Sequence, residues 1–174
     1  MSQPHAVRID RINGVEGYSN FVVRHLHEYI DTSHCLIVQW DGFILNSLAW
    51  QTRFLAFDYI GAAYGNWVGI GGFSLRSKRF LQIASKHRAN ENAHPEDNFL
   101  SLKYRAEFER MHHIKYAPNE VAQGFTVESR TYNPKANVWS GTQRKWAGEF
   151  GFHSYLTPIQ SFNERPKIFH HSGD

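Results

Sequence analysis

Thiols are nearly absent. Cys35 is the single cysteine among 174 residues, which excludes an intramolecular disulfide and a multi-thiolate zinc site. Placed inside the run Cys35-Leu36-Ile37-Val38, it is expected to be a small buried hydrophobe rather than a nucleophile. Long hydrophobic runs are missing too. No stretch approaches the length of a membrane span, and Met1 to Asp10 lacks the apolar core of a signal peptide. A cytoplasmic protein without a membrane span is the default expectation. Nor is there a strong charge of either sign. The net charge is +3 and the isoelectric point about 9.0, compatible with phosphorylated ligands but too weak to argue for a nucleic-acid partner. The densest like-charge cluster, Arg76 to Arg79, reads as a helix start. Internal repeats and linkers are absent as well.

What the chain does have is length for one domain with a real core and many rings: 13 Phe, 8 Tyr and 5 Trp. Several of these stand beside glycines, a pairing that favours a stacking or sugar-binding surface over a plain core. Apolar residues at Phe21, Val22, Leu26 and Ile30 predict a helix over Tyr18 to Ile30, leading into a buried strand at Cys35. A second strand is expected at Phe57 to Ala63. Val68 to Leu75 reads as a glycine-rich segment opening a helix near Arg76 to Lys86. Pro95 is placed to begin a helix running to about Met111, with Glu96 and Asp97 in its first turn. Ile114 to Ala117 and Phe125 to Glu128 read as strands, and Asn119 to Gln123 as a helical turn. Beyond Tyr132 a long loop is expected up to Phe150-Gly151-Phe152-His153, and a poorly ordered tail from Pro158 that holds His170 and His171. The resulting division is an N-terminal segment over 1–16, one α/β domain over 17–157 and a flexible tail over 158–174.

Four constellations have chemical potential. The apolar run ending in Gln39-Trp40-Asp41-Gly42 puts a hard carboxylate at a strand end, where open α/β sheets gather ligands and where Mg²⁺ or Mn²⁺ would carry a diphosphate; the plainer alternative is an Asp-Gly turn. Gly69, Gly71 and Gly72 permit close backbone approach to a ligand, without the spacing of the dinucleotide fingerprint, or else mark a bulge. Glu96-Asp97 after His94-Pro95 offers a general base, or simply favours the helix dipole, which would also weaken the base. His153 between aromatics and glycine is either a metal ligand or structural. The pairs His112-His113 and His170-His171 lack metal-ligand spacing and read as surface features.

Taken in order, Val38-Gln39-Trp40-Asp41-Gly42-Phe43, Tyr59-Ile60-Gly61-Ala62, Gly71-Gly72-Phe73-Ser74-Leu75-Arg76-Ser77, Pro95-Glu96-Asp97 and Phe150-Gly151-Phe152-His153 resemble a little-characterised family of bacterial proteins with a glycosyltransferase-A-like fold. The resemblance spans roughly Gly17 to Ser154 and includes Tyr116-Ala117-Pro118 through Glu128. It implies a single-domain α/β, Rossmann-like mixed sheet flanked by helices. It implies a metal-dependent transfer of sugar from a nucleotide-sugar donor to a glycan or other hydroxyl acceptor, in the inverting mode. Asp41 matches the second aspartate of an Asp-x-Asp motif; Gln39 stands where the first would be, able only to hydrogen-bond the donor. His153 matches the late histidine that completes a shell around Mn²⁺ or Mg²⁺. Asp97, with Glu96, matches the acidic pair that supplies the base. Gly71-Gly72-Phe73 matches the loop lining the two sugars. Trp40, Tyr64, Trp67 and Phe73 offer flat faces for sugar rings, core packing being the alternative for at least two of them. Tyr18 and Ser19 are placed against the nucleotide.

Glycosyltransferase-A domains normally begin with a βαβ unit that holds the nucleotide base. Only about seventeen residues precede Tyr18, so the resemblance implies a fragment, or an N-terminally shortened member that binds donors weakly or completes its sheet as a homodimer through an exposed edge. Two other classes remain open. A non-catalytic carbohydrate-binding or scaffold module would bind sugar after metal is chelated. A metal-dependent phosphohydrolase would release phosphate without an acceptor, although one aspartate and one histidine are few ligands for a two-metal site.

Overall fold

The small, β-branched and aromatic residues between Trp67 and Ser77 suit a strand buried on both faces, and that strand organises the molecule. The computed structural model describes residues 6–64, 67–128, 130–133, 138–142 and 145–153. Strand β1 is His34–Val38, β2 Gly42–Ile44, β3 Tyr59–Tyr64 and β4 Trp67–Ser77. They are followed by β5 (Thr126–Glu128), β6 (Arg130–Asn133), β7 (Val138–Thr142) and β8 (Gly151–His153). The first sheet has the order β1-β4-β3 and is antiparallel throughout, with Val38 opposite Phe73 and Tyr59 opposite Arg76. The second has the order β2-β8-β5, antiparallel between β2 and β8 and parallel between β8 and β5. β6 and β7 form a separate hairpin.

The helices are α1 (Gly14–Asn20), α2 (Lys78–Lys86), α3 (Glu96–Asn98), α4 (Arg105–His112) and α5 (Asn119–Phe125). A π-helical turn over Phe21–His25 and a 3-10 turn over Leu26–Tyr29 prolong α1. Ser77 caps α2, its hydroxyl accepting the Phe80 amide at 3.0 Å. One core cluster joins Val23, Tyr59, Phe80, Leu100 and Phe108. The other joins Phe54, Ile60, Phe73, Leu75, Phe125 and Phe150. Edge-on and tilted ring pairs, Phe54–Phe125 at 5.2 Å and Phe73–Phe125 at 5.5 Å, bind the second cluster. The aromatic share therefore goes largely into packing.

The chain is a mixed α/β fold of small sheets and helices, and several elements differ from expectation. The main sheet is antiparallel, so Asp41 does not lie at the carboxyl edge of a parallel sheet. Gly71-Gly72-Phe73 is not a loop but the middle of β4, where four residues, Gly71 to Ser74, oppose the single Gly61 between the pairs Ile60–Leu75 and Ala62–Ile70. Cys35 is only partly buried, because β1 is an edge strand. Ile114 to Ala117 contributes one bridge, Tyr59 to Tyr116, rather than a strand. The β6–β7 hairpin stands where a loop was expected, and the first helix starts at Gly14 rather than Tyr18. The tail from Pro158, with His170 and His171, lies outside the described residues. Among the described residues no helix is long and apolar enough to cross a membrane.

Candidate functional site

The two sheets are stitched by the turn Gln39 to Gly42, and the site forms around that stitch. The Gln39 amide donates to Gly72 O at 2.9 Å, holding the turn on β4, and the Gly42 amide donates to Gln39 O at 2.8 Å. Gly42 then pairs with His153, which on its other side pairs with Glu128. Three distant segments are thereby brought into one row. The His153 ring has Asp41 Oδ1 3.2 Å and Gln39 Oε1 3.3 Å from Nε2. Its Nδ1 is hydrogen-bonded to the Glu128 carboxylate. Asp41 and Glu128 are both buried, an expensive place for carboxylates without a cation or a donor. Asp41 Oδ1 is at ion-pair distance from the ring, yet it has no well-formed hydrogen bond. Gly72 makes this seating possible, since a Cβ there would meet His153 Nε2 at 1.9 Å.

Glu96 and Asp97 form a neighbouring acidic half. Glu96 is buried against Arg76, with Oε1 3.3 Å from Nη2. The Arg76 guanidinium also donates from Nε to Ser74 Oγ at 3.1 Å and from Nη2 to Tyr59 OH at 3.4 Å, and it stacks 4.9 Å from the Tyr59 ring centre. Gly71 faces this group, because a Cβ there would lie 2.7 Å from both Arg76 Nη2 and Glu96 Oε1 and 3.1 Å from Asp97 Cβ. Burial, and then the Glu96 charge, push the Asp97 carboxyl up to about 6, against the pull of the Asn98 and Gly71 amides and of Arg76. The dipole argument from sequence pointed the other way. α3 runs straight on into a π-helical turn over Phe99–Lys103, and at this helix start burial outweighs the pull of the backbone amides.

Tyr18 links the halves. Burial raises its hydroxyl above the usual phenol range, Glu96 adds to the rise, and Arg76 and the adjacent Gln39 side chain oppose it. Gln39 thus lies near both the His153 group and the phenol, whose buried hydroxyl makes no well-formed hydrogen bond. Ser19 faces elsewhere, its hydroxyl 2.9 Å from His94 Nδ1. Trp40, at the tip of the turn, is 77% exposed. Trp67 is half-buried and donates from Nε1 to Ser101 O at 2.8 Å. Phe73 is 1% exposed and packs on Phe125 and Phe150, which removes it from any sugar-facing set.

Two participants escape a reading of the sequence. Glu128 ends the strand Thr126-Val127-Glu128 as Asp41 follows Leu36-Ile37-Val38, and that parallel is the signal that points to it. Arg76 reads as a helix charge but is completely buried. Among the described residues no three His, Cys, Asp or Glu side chains converge on a single ion position, because Asp41 and Glu128 take different nitrogens of the ring. The third group near Nε2 is an amide oxygen, that of Gln39.

Fold and site thus define a small mixed α/β protein with a carboxylate–imidazole centre beside a buried acidic pair. The chain belongs to the family described as "Protein of unknown function (DUF5672)", whose model matches residues 3–140. That span takes in Gln39, Asp41, Arg76, Asp97 and Glu128, while His153 lies beyond it. No curated protein and no solved structure matches the chain.

Proposed function

We propose that this chain is a divalent-metal-dependent glycosyltransferase-like protein of glycosyltransferase-A type, moving a sugar from a nucleoside diphosphate to a hydroxyl acceptor. One observation carries the reading: Asp41 Oδ1 and Gln39 Oε1 stand 3.2 and 3.3 Å from His153 Nε2. Two ligands each about 2.1 Å from an octahedral cation, at right angles, stand about 3 Å apart. The orphaned, buried Asp41 Oδ1 is an acceptor in want of a cation, and a donor set of imidazole with carboxylate and amide oxygen suits Mn²⁺ better than Mg²⁺. Glu128 on Nδ1 would fix the tautomer that leaves the Nε2 lone pair available. The residues fit the ion, which when bound would stabilise charge developing on a leaving diphosphate.

The rest of the chemistry falls to protein groups. An acceptor hydroxyl needs a carboxylate to take its proton, and Asp97, pushed up to about 6, is a stronger base than an ordinary aspartate while remaining mostly ionised at pH 7. Glu96 is held by Arg76 and serves to raise Asp97. Trp40, exposed between Gln39 and Asp41, is the ring-stacking face beside the donor.

Mn²⁺ with a matching nucleoside diphosphate, at about a hundred times its dissociation constant, should add about 2.7 kcal/mol, or about 5–11 °C in melting temperature. Asp41→Asn should abolish that shift while leaving the metal-free melt nearly unchanged. No Mn²⁺-dependent shift with any nucleotide would sink the metal reading. Sugar binding that survives chelation would favour a carbohydrate-binding module, and phosphate release without an acceptor a phosphohydrolase.

Asp97 adds a pH signature. Its folded value, about 6, lies above the ordinary 3.8, so the folded state holds the proton more tightly and stability falls as pH rises from about 4 to about 6. Asp97→Asn should therefore melt higher than wild type at pH 7, by about 1–3 kcal/mol, with the gain gone by about pH 4. It should lose transfer by about 10²–10⁴-fold. A variant that is less stable at pH 7, or that retains activity, would rule out the buried-base assignment.

A further inference from the structure

We propose that the groove between α2 and α4 is a second, metal-independent binding site, for a phosphate ester bearing an apolar group. Its volume is about 800 Å³, within the range of small-molecule sites. Arg79, Lys86 and Arg88 line it with one carboxylate, Glu107, while Arg79 is held by Asp58 from outside the groove at 3.5 Å and by the His112 carbonyl. The Glu107 carboxylate is already engaged, 3.5 Å from His87 Nε2 and 3.7 Å from Arg88 Nη2. Lys86 is exposed and makes no ion pair among the described residues. Ile83 and Met111 supply apolar lining, with Met111 57% exposed.

A second observation favours an anion here. Lys86 ends α2, and a helix C-terminus normally repels anions through its unpaired carbonyls. In this chain Arg24 covers them. Its Nη1 donates to Ala84 O at 3.0 Å, Ser85 O at 3.3 Å and His87 O at 2.8 Å, and its Nη2 to Arg88 O and Glu91 O at 3.0 Å. The helix end is thus neutralised by a fixed cation from the first helical segment. Lys86 remains for a ligand, with Arg88, turned by a left-handed backbone with φ of 48° and shared with Glu107, beside it. Phosphate suits such a set because guanidinium and ammonium groups can share its oxygens.

The test uses the full chain in EDTA, which silences any metal site. Phenyl phosphate and inorganic phosphate are titrated by calorimetry at about 50 and about 200 mM salt. Saturable binding of phenyl phosphate is expected, tighter than that of inorganic phosphate and weaker at the higher salt. Lys86→Glu, at an exposed position, should weaken it about tenfold or more, and Arg88→Gln by a similar factor. Asp41→Asn should bind as wild type, which separates this site from the one at His153. The proposal is overturned if phenyl phosphate does not saturate, if folded Lys86→Glu binds it unchanged, or if only a single-stranded oligonucleotide binds.

Discussion

Arg76→Ala should be the most damaging single substitution outside the apolar core, costing about 3–5 kcal/mol because it leaves a buried carboxylate without its cation. Arg76 is fully buried, Glu96 nearly so, and they lie 3.3 Å apart. Truncation also removes the guanidinium from Ser74, Gly71 O and the Tyr59 ring. Such a loss would consume much of the stability of an ordinary domain and lower the melting temperature by about 6–20 °C. Arg76→Lys should recover little, since an ammonium can reproduce neither the Nε contact nor the planar stacking. The double variant Arg76→Ala/Glu96→Gln discriminates the cause. If the isolated charge is what hurts, neutralising Glu96 restores a sizeable part of the loss in a urea melt; if the double variant is as unstable as the single one, packing is the reason instead.

The same pair bears on the site. Arg76 Nη1 is buried without a hydrogen-bond partner, so this guanidinium is not a device optimised for stability alone. Its charge holds Asp97 down while Glu96 and burial push it up. The balance leaves a carboxyl at about 6, and the residues that set it come from β4 and α3.

How far the sequence discloses this arrangement depends on what each residue's neighbours do. The strand at Cys35 and the helix at Lys78 are legible because apolar period and capping are local properties. The association of Asp41 with His153 is legible only through the ordered motifs, since nothing near either residue reveals the other. The antiparallel order is hidden for a packing reason: β4 is covered on both faces, so it has the continuous apolar pattern usually seen in parallel sheets. Its glycines mislead likewise. Gly71 and Gly72 read as a loop, but they are the positions where Arg76 with Glu96, and His153, press against the strand. Glu128 is missed because a single glutamate at a strand end has no local signature; only its pairing with His153 across two parallel strands gives it a role.

Gly72→Ala should therefore disable the centre without touching any of its polar groups. The added Cβ would lie 1.9 Å from His153 Nε2, 2.2 Å from Cε1 and 2.6 Å from Cδ2, far inside van der Waals contact. The ring cannot simply swing away, because its Nδ1 is bonded to Glu128 and its backbone is paired on both sides by β2 and β5. Relief has to come from displacing β8 or expelling the imidazole, at a cost of about 1–3 kcal/mol for overpacking. The three groups around Nε2 would no longer meet, so the Mn²⁺-dependent melting shift should vanish although Gln39, Asp41 and His153 are all intact. His153→Ala in the Gly72→Ala background removes the clash and should regain stability while remaining blind to Mn²⁺. A Gly72→Ala protein that keeps wild-type stability and its Mn²⁺ response would mean that His153 does not sit over β4, and the centre built on that contact would fall with it.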